Sequence, residues 1–275
     1  LVKNKFDKPV IVVNMGGPSF EDANDALREN GIPTYVFPET AVTALEAMVK
    51  FARLEERQYD DVIENIYDVD KYAVQSIFDK VIADGRDTLL GSEAYAVAEA
   101  YGISAAPIKL STSADEAAEL AEEMEFPVVL KIASDKILHK SDIGGVKVGI
   151  SSAEEAKATY EEIIANAKAA HPDIVPDGVE VQKMMDSGEE VIVGMIRDKQ
   201  FGPMIAFGMG GIYVNLIEDV SFNLAKGMSS QEIEEQIEST KVSKLLAGYR
   251  GEAPCDVEEV KEAIKRVARL TLDFP

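Results

Sequence analysis

The sequence has little of what several classes of protein depend on. Its 275 residues contain one cysteine, Cys255, two histidines and no tryptophan. One cysteine excludes an internal disulfide and a thiolate metal cluster, and no histidine lies near it in sequence to activate it, so we interpret it as structural. No apolar run reaches the ~20 residues of a membrane span, and the first residues do not resemble a signal peptide. We therefore expect a cytoplasmic protein with no membrane partner.

Positive charge is also scarce. The chain has 28 Lys and Arg against 50 Asp and Glu, which gives a formal net charge of −22 at pH 7. This excess of negative charge opposes binding to a nucleic-acid backbone. We therefore expect no nucleic-acid partner, and any cluster of cations becomes a candidate site for a small anionic ligand.

The pattern of short apolar runs and amphipathic stretches predicts an α/β fold. Strands are predicted at residues 9–14 and 32–36, each followed by a helix, and parallel pairing is expected. Two such strands cannot form an independent sheet, so residues 1–55 are predicted to be the end of a larger parallel domain. Residues 56–87 contain one glycine and no proline and are predicted to be a helical connector.

Residues 88–275 are predicted to form a second domain. Helices are predicted over residues 90–101 and after the capping residues Ser113, Ser152, Ser229 and Asp256. Strands are predicted at residues 107–110, 127–132, 146–150, 179–184, 190–196, 204–207 and 213–217. There is no internal repeat and no low-complexity segment.

Residues 131–147, with the sequence KIASDKILHKSDIGGVK, contain most of the candidate chemistry. Lys131 lies near the end of an apolar strand, and Lys147 supplies a second point charge on the next strand. Gly144 and Gly145 let the backbone close over an anion without interference from a Cβ atom. The stretch as a whole predicts a phosphate-binding site.

The two histidines of the chain have different settings. His139 lies among lysines and glycines, where it would orient a phosphate or carry one covalently. The alternative for His139 is an ordinary exposed histidine. The alternative for Lys131 is a place on an edge strand or in a buried ion pair. His171 precedes Pro172 at a helix end, where an imidazolium would complement the terminal carbonyls, and we assign it no catalytic role.

Three further residues are weaker candidates. Gln182 and Met184 would present a polar edge and an apolar surface to a planar base, although methionine at strand spacing is more often core. Glu190 would accept ribose hydroxyl groups, or is a surface carboxylate. The glycines of residues 208–211 allow close backbone approach to a ligand, or form a bulge or tight turn.

Taken in order, these segments resemble the NDP-forming acyl-CoA synthetases of the ADP-forming acetyl-CoA synthetase type. The resemblance covers nearly the whole chain and is carried by residues 128–132, 137–147, 197–203, 210–214 and 248–251. It implies an α/β protein in which residues 88–275 form an ATP-grasp fold, truncated at its C-terminus. Residues 1–55 would be part of the preceding flavodoxin-like, succinyl-CoA-ligase-like domain.

The resemblance implies that an acid, CoA and ATP give acyl-CoA, ADP and phosphate through an acyl phosphate and a phosphohistidine. The acid would be acetate or another short-chain acid or hydroxyacid. By the same resemblance His139 relays the phosphoryl group and the other candidates bind the nucleotide: Lys131, Gly144, Gly145 and Lys147 its phosphates, Gln182 and Met184 its adenine, and Glu190 its ribose.

The resemblance also implies partners and cofactors beyond ATP or ADP. Mg²⁺ is expected, with its ligands in a segment after Pro275. CoA would bind to a CoA-binding portion outside this chain, and that portion would also contain a first histidine. The assembly would be a homo- or hetero-oligomer. The sequence departs from the family at Asn215, where Glu is usual, and at Asn223, where a basic residue is usual.

Two other functions fit parts of the pattern. A non-catalytic, synthetase-like regulatory module, as in fused protein acetyltransferases, has no need of a phosphorylatable histidine, which this chain has in His139. An ATP-grasp carboxylate-amine ligase transfers phosphate directly to the carboxylate without a histidine relay. The sequence therefore favours the synthetase.

Overall fold

The computed structural model describes residues 8–56, 60, 62–64, 66, 68–137, 139–211 and 219–275. The chain divides into two compact units, Leu1–Tyr59 and Asp60–Pro275. None of the helices in the described residues combines the length and apolar character that crossing a bilayer requires.

The first unit is a parallel α/β fragment. Its elements are β1 (Val12–Val13), a short 3-10 helix (Pro18–Phe20), α1 (Glu21–Glu29), β2 (Thr34–Tyr35) and α2 (Pro38–Glu55). The two strands pair in parallel, with Val12 opposite Thr34. Gly31 follows α1 with a φ of 69°, a conformation that favours glycine and ends the helix. The predicted alternation of strand and helix is confirmed.

The second unit begins with helices and a four-stranded antiparallel sheet. Its elements are α3 (Lys71–Ala83), α4 (Gly91–Ala100), β3 (Ile108–Ser111), α5 (Ala114–Glu123), β4 (Val128–Ala133), β5 (Val146–Ile150), α6 (Ala153–Ala170) and β6 (Gly178–Lys183). The strand order is β3-β6-β4-β5. Helix α3 lies within the predicted connector, and its Val74 shares a core cluster with Val97 and Tyr101. The domain boundaries at residues 55 and 87 stay predictions.

A three-stranded antiparallel sheet and three helices complete the second unit. The elements are β7 (Val191–Asp198), β8 (Gly202–Met209), β9 (Val220–Leu224), α7 (Ser230–Glu238), α8 (Ser243–Leu246) and α9 (Val257–Asp273). The strand order is β7-β8-β9. The strand predicted at residues 213–217 lies outside the described residues, and β9 and α8 were not predicted.

Four helices begin where their capping residues were predicted. The Ser113, Ser152 and Ser229 hydroxyl groups and the Asp256 carboxylate each accept a hydrogen bond, at 3.2 Å, from the backbone N–H three residues later. Such a bond satisfies one of the donors that the first turn of a helix leaves unpaired.

One face of the four-stranded sheet is buried in the core, so only the residues on its other face are available to form a site. Alternate residues of β4 and β6 are fully buried with α5 and α6: Val128, Leu130, Ile132, Val179 and Val181. Because strand side chains alternate between faces, the intervening residues of β4 and β6 project to the opposite side of the sheet.

Candidate functional site

Side chains on the second face of the four-stranded sheet form the candidate site. Lys131 on β4 lies directly opposite Glu180 on β6, and Gln182 follows two residues along. Residues opposite each other in an antiparallel pair project to the same face, as do residues two apart in a strand. We call this side, defined by Lys131, Glu180 and Gln182, the lysine face.

Lys131 has a neutral hydrogen-bond partner. Its Nζ donates to Gln182 Oε1 at 2.5 Å. Burial lowers the pKa of Lys131 from its ordinary value, while the Glu180 carboxylate opposes the shift and the Lys140 ammonium adds to it. The edge-strand alternative is wrong, because β4 lies between β5 and β6. An ammonium bonded to an amide keeps donors and charge for an anion.

Glu180 is a site residue that the sequence reasoning missed. Its side chain is 1% exposed, and its Oε2 lies 3.7 Å from Lys140 Nζ. The Ser92 backbone N–H donates to Glu180 Oε1 at 2.7 Å. The available signal was the alternation of apolar and polar residues in β6, which assigns Glu180 and Gln182 to one face. The pairing of that face with Lys131 could not be read from β6 alone.

The His139 loop closes on itself between β4 and β5. The Asp142 N–H donates to His139 O at 3.2 Å, and the Gly145 N–H donates to Lys140 O at 2.8 Å. His139 is exposed. It lines an open pocket of about 510 Å³ together with Lys131, Lys140, Ser141, Asp142 and Val146. The structure therefore brings His139 and Lys131 to one cavity, while their roles in binding and transferring phosphate stay predictions.

Gly144 and Gly145 allow this loop to pack closely. Gly144 has a φ of 68°, and a Cβ atom there would lie 2.9 Å from Asn166 Nδ2. A Cβ atom on Gly145 would lie 2.8 Å from both Lys140 O and Ile132 Cγ2. These contacts explain why glycine is needed at both positions. Direct binding of phosphate by the two glycines stays a prediction.

Lys147 lies away from the lysine face. In the β4–β5 ladder it is opposite Leu130, a core residue of the helix-covered face, whereas Val146 is opposite Lys131. The Lys147 ammonium is 2.6 Å from Glu162 Oε1 on α6. Lys147 is therefore not beside Lys131, and its role in nucleotide binding stays a prediction.

Met184 and Glu190 are exposed. Met184 is 39% exposed, and its backbone N–H donates to Pro127 O at 3.3 Å. The Gly210 N–H donates to Glu190 O at 2.7 Å, and a Cβ atom on Gly211 would lie 2.1 Å from Glu190 Oε2. The Glu190 carboxylate therefore packs on the glycine turn that follows β8. Its contact with ribose and the contact of Gln182 and Met184 with adenine stay predictions.

Comparison with known proteins gives the family of this site. The model of the ATP-grasp domain matches residues 80–275. Subunit beta of acetate–CoA ligase [ADP-forming] I from Pyrococcus furiosus is 41% identical over 73% of this chain, and the match covers 86% of that subunit. The chain belongs to the ATP-grasp family of the ADP-forming acyl-CoA synthetases. The resemblance and the α/β ATP-grasp fold class expected from the sequence are thereby confirmed.

A longer relative shows how much of a synthetase the chain spans. Acetate–CoA ligase [ADP-forming] I from Archaeoglobus fulgidus is 39% identical over 98% of this chain, yet the match covers 38% of that protein. The chain therefore spans less than half the length of this synthetase.

Solved structures of one synthetase share the fold. The dinucleotide forming acetyl-coenzyme A synthetase 1 of Ca. Korarchaeum cryptofilum, in complex with coenzyme A and Ca-AMPCP, superposes with a TM-score of 0.69 at 43% identity over 72% of this chain and 86% of its own. A second complex of that protein, with Mg-AMPPCP, has a TM-score of 0.64 at 41% identity over 72% of this chain and 85% of its own. In it a phosphohistidine segment points towards the nucleotide binding site.

The described residues offer the synthetase no ready metal site of their own. Nowhere in that part of the chain do three Asp, Glu, His or Cys side chains converge as ligands. In nucleotide enzymes Mg²⁺ is commonly held by one or two carboxylates together with substrate phosphates. The metal ligands expected after Pro275 stay a prediction.

Proposed function

We propose that this chain supplies the nucleotide-binding part of an ADP-forming acyl-CoA synthetase, which converts an acid, CoA and ATP into acyl-CoA, ADP and phosphate. The observation that carries the proposal is that His139, Lys131 and Lys140 line one open pocket. A nucleophile and two cations around one cavity suit the transfer of a phosphoryl group. The names of the relatives support acetate as the acid, and the proposal extends to other short-chain acids and hydroxyacids.

His139 is the proposed carrier of the phosphoryl group. A ring nitrogen of His139 donates its lone pair to the γ-phosphorus of ATP. The new N–P bond forms as the bond from that phosphorus to the β,γ-bridging oxygen breaks. ADP departs with that oxygen, and the second ring nitrogen releases its proton to solvent. Each step reverses when ADP accepts the group and ATP forms.

Other side chains would bind the nucleotide and balance its charge. Lys131 and Lys140 donate to phosphate oxygens and offset the charge of the group in transfer. Gly144 and Gly145 approach the phosphates through the backbone. Lys147 joins them only if its ammonium leaves Glu162. Mg²⁺, bound to the phosphates, would neutralise further negative charge.

The sugar and base are assigned to the residues expected from the sequence. Gln182 and Met184 border the adenine, and the exposed Glu190 carboxylate accepts the ribose hydroxyl groups. The short Lys131–Gln182 hydrogen bond supports this arrangement, because it joins the proposed phosphate and adenine positions on one face of the sheet.

The proposed partner is a CoA-binding portion that carries the first histidine. Two findings support it: the Pyrococcus relative is named a subunit beta, and the Korarchaeum synthetase has a phosphohistidine segment that points towards its nucleotide site. In that arrangement the first histidine receives phosphate in the CoA-binding portion and passes it towards His139. The assembly would be a homo- or hetero-oligomer.

Replacement of His139 in the complete enzyme tests the function. His139→Ala should abolish ATP formation from acyl-CoA, ADP and phosphate, while phosphorylation of the first histidine, followed with radiolabelled phosphate, continues. His171→Ala is the matched control, since His171 is the other histidine of the chain and caps the end of α6; its activity should be nearly unchanged. Substantial ATP synthesis by His139→Ala would refute the relay and leave the His139 loop as a phosphate-binding cover. A complete wild-type protein that forms no ATP would instead favour a non-catalytic regulatory module.

A further inference from the structure

Glu180 carries a buried charge that the proposed transfer step does not use. Among the residues that the structure describes, it is the only acidic residue that is fully buried, at 1% exposed. Burying a carboxylate is costly unless it is paired and hydrogen-bonded. Glu180 lies on the lysine face, opposite Lys131, so its partners are the groups that would meet the nucleotide phosphates.

Glu180 is held firmly by the start of α4. The Ser92 N–H donates to its Oε1 at 2.7 Å, and a Cβ atom on Gly91 would lie 2.7 Å from its Oε2. Glycine at position 91 therefore lets the first turn of the helix approach the carboxylate. The partial positive charge of a helix N-terminus favours an anion there. This side of Glu180 is fixed.

The contact of Glu180 with Lys140 is looser. The Lys140 Nζ lies 3.7 Å from Glu180 Oε2, which is beyond ordinary hydrogen-bond length. The charges of Lys140 and Glu180 both act on Lys131, and they act in opposite directions. Without an anion, the lysine face would hold two ammonium groups that repel each other in a partly buried place.

We propose that Glu180 is a positioning residue of the nucleotide site, an internal counter-ion that holds the Lys131 and Lys140 ammonium groups together on the lysine face before a ligand binds. The inference deepens the proposed function, on which its phosphate ligand rests. When a nucleotide phosphate binds, the Lys140 ammonium pairs with the phosphate instead of Glu180, while the Ser92 N–H keeps the Glu180 carboxylate in place. Glu180 itself does not touch the reacting atoms.

The test uses a variant that removes the charge and keeps the shape. In Glu180→Gln the amide oxygen still accepts the Ser92 N–H, but the anion is lost. The control is Glu162→Gln, because Glu162 contacts Lys147 at 2.6 Å on the helix-covered face of the same sheet. Glu180→Asp keeps the charge and serves as the conservative variant.

The first readout is the pKa of Lys131 in ligand-free protein, followed by NMR of ¹³C-labelled lysine and assigned with Lys131→Met. The groups that face Lys131 are Glu180, Lys140, Gln182 and the pocket residues His139 and Asp142. Loss of the Glu180 anion should lower the Lys131 pKa by about one unit. Glu162→Gln and Glu180→Asp should leave it close to wild type. An unchanged pKa in Glu180→Gln overturns the inference.

The second readout is the affinity for MgADP between pH 7 and 10. The pH at which affinity falls to half should move down by about one unit in Glu180→Gln and stay in place in the control. A loss that is equal at every pH would instead make Glu180 only a structural cap of α4 and overturn the inference. Wild-type protein that binds no MgADP would refute the proposed function, and the ligand-free pKa would then decide the counter-ion role alone.

Discussion

Two clusters of partly buried charge in the second unit differ in how completely they are paired. The Asp273 carboxylate, at the end of α9, accepts hydrogen bonds from Lys71 Nζ at 2.5 Å, Arg269 Nε at 2.9 Å and the Tyr101 hydroxyl at 3.0 Å. On the lysine face, Lys131 donates to a neutral amide, and Lys140 lies 3.7 Å from its carboxylate.

This difference separates charge that holds the fold from charge that is available to a ligand. Burial acts to raise the pKa of Asp273, but the three donors outweigh it and hold the pKa below its ordinary value. At Lys131 burial prevails and the pKa is lowered, although Glu180 opposes the shift. Asp273 has the stabilisation that its charge needs, whereas Lys131 would gain from an added anion.

Removal of the Asp273 carboxylate should give the largest effect on stability. Asp273→Ala leaves Arg269, Lys71 and the Tyr101 hydroxyl without their acceptor, and such a loss costs about 3–5 kcal/mol of the free energy of unfolding. Urea denaturation measures it. Asp115→Ala is the control, because Asp115 pairs with Lys157 at 2.6 Å on the exposed surface; its stability should stay at the wild-type value.

The pH dependence of the free energy of unfolding tests whether the charge of Asp273 is what stabilises the fold. Because the pKa of Asp273 is lower in the folded chain, its contribution is present above the unfolded pKa and is lost as the pH falls through the folded one. The difference in stability between wild type and Asp273→Asn should therefore shrink as the pH falls from 7 towards 3. A difference that is constant over this range would show that the carboxylate charge is not what matters.

Lys131 and Lys147, the two lysines predicted to bind phosphate, should differ in their contribution to MgADP affinity. The effect of Lys147 should be the smaller one. Lys147 is bound to Glu162 on the helix-covered face, so Lys147→Met should weaken MgADP binding by less than about 3-fold, as loss of a single partly exposed charge does. Calorimetry of the full chain measures it. A loss as large as that of Lys131→Met would mean that Lys147 reaches the nucleotide after all.

A bulge explains why the position of Lys147 was not readable from the sequence. The register of β4 against β5 shifts between Val128, opposite Ile150, and Leu130, opposite Lys147. Lys147 and Ile150, three residues apart, therefore lie on the same face, which simple alternation along a strand does not predict. The four strands of this sheet and the position of Lys131 in β4 did follow from the apolar runs in the sequence.

Strand β9 was missed for a related reason. Its apolar residues, Phe222 and Leu224, are 48% and 45% exposed. The residues between point inward and are polar: Ser221 donates to Phe207 O at 3.1 Å, and Asn223 donates to Glu232 O at 3.2 Å. Apolar and polar residues do alternate along β9, but simple alternation assigns the apolar side chains to the core, whereas here the polar side chains point inward and are satisfied by backbone partners. Glu180 was missed because its partners come from other elements.

The affinity of Lys131→Met for MgADP, measured by calorimetry together with its stability, tests most directly whether the lysine face binds the nucleotide. We predict a loss of about 10-fold or more in a variant that remains folded, from a charge-assisted contact worth ~1.5–3 kcal/mol. Lys109→Met is the control, because Lys109 lies on β3 of the same sheet and pairs with Glu123 of α5 at 2.7 Å. This variant should bind MgADP as wild type does. Unchanged MgADP affinity in folded Lys131→Met would contradict the account.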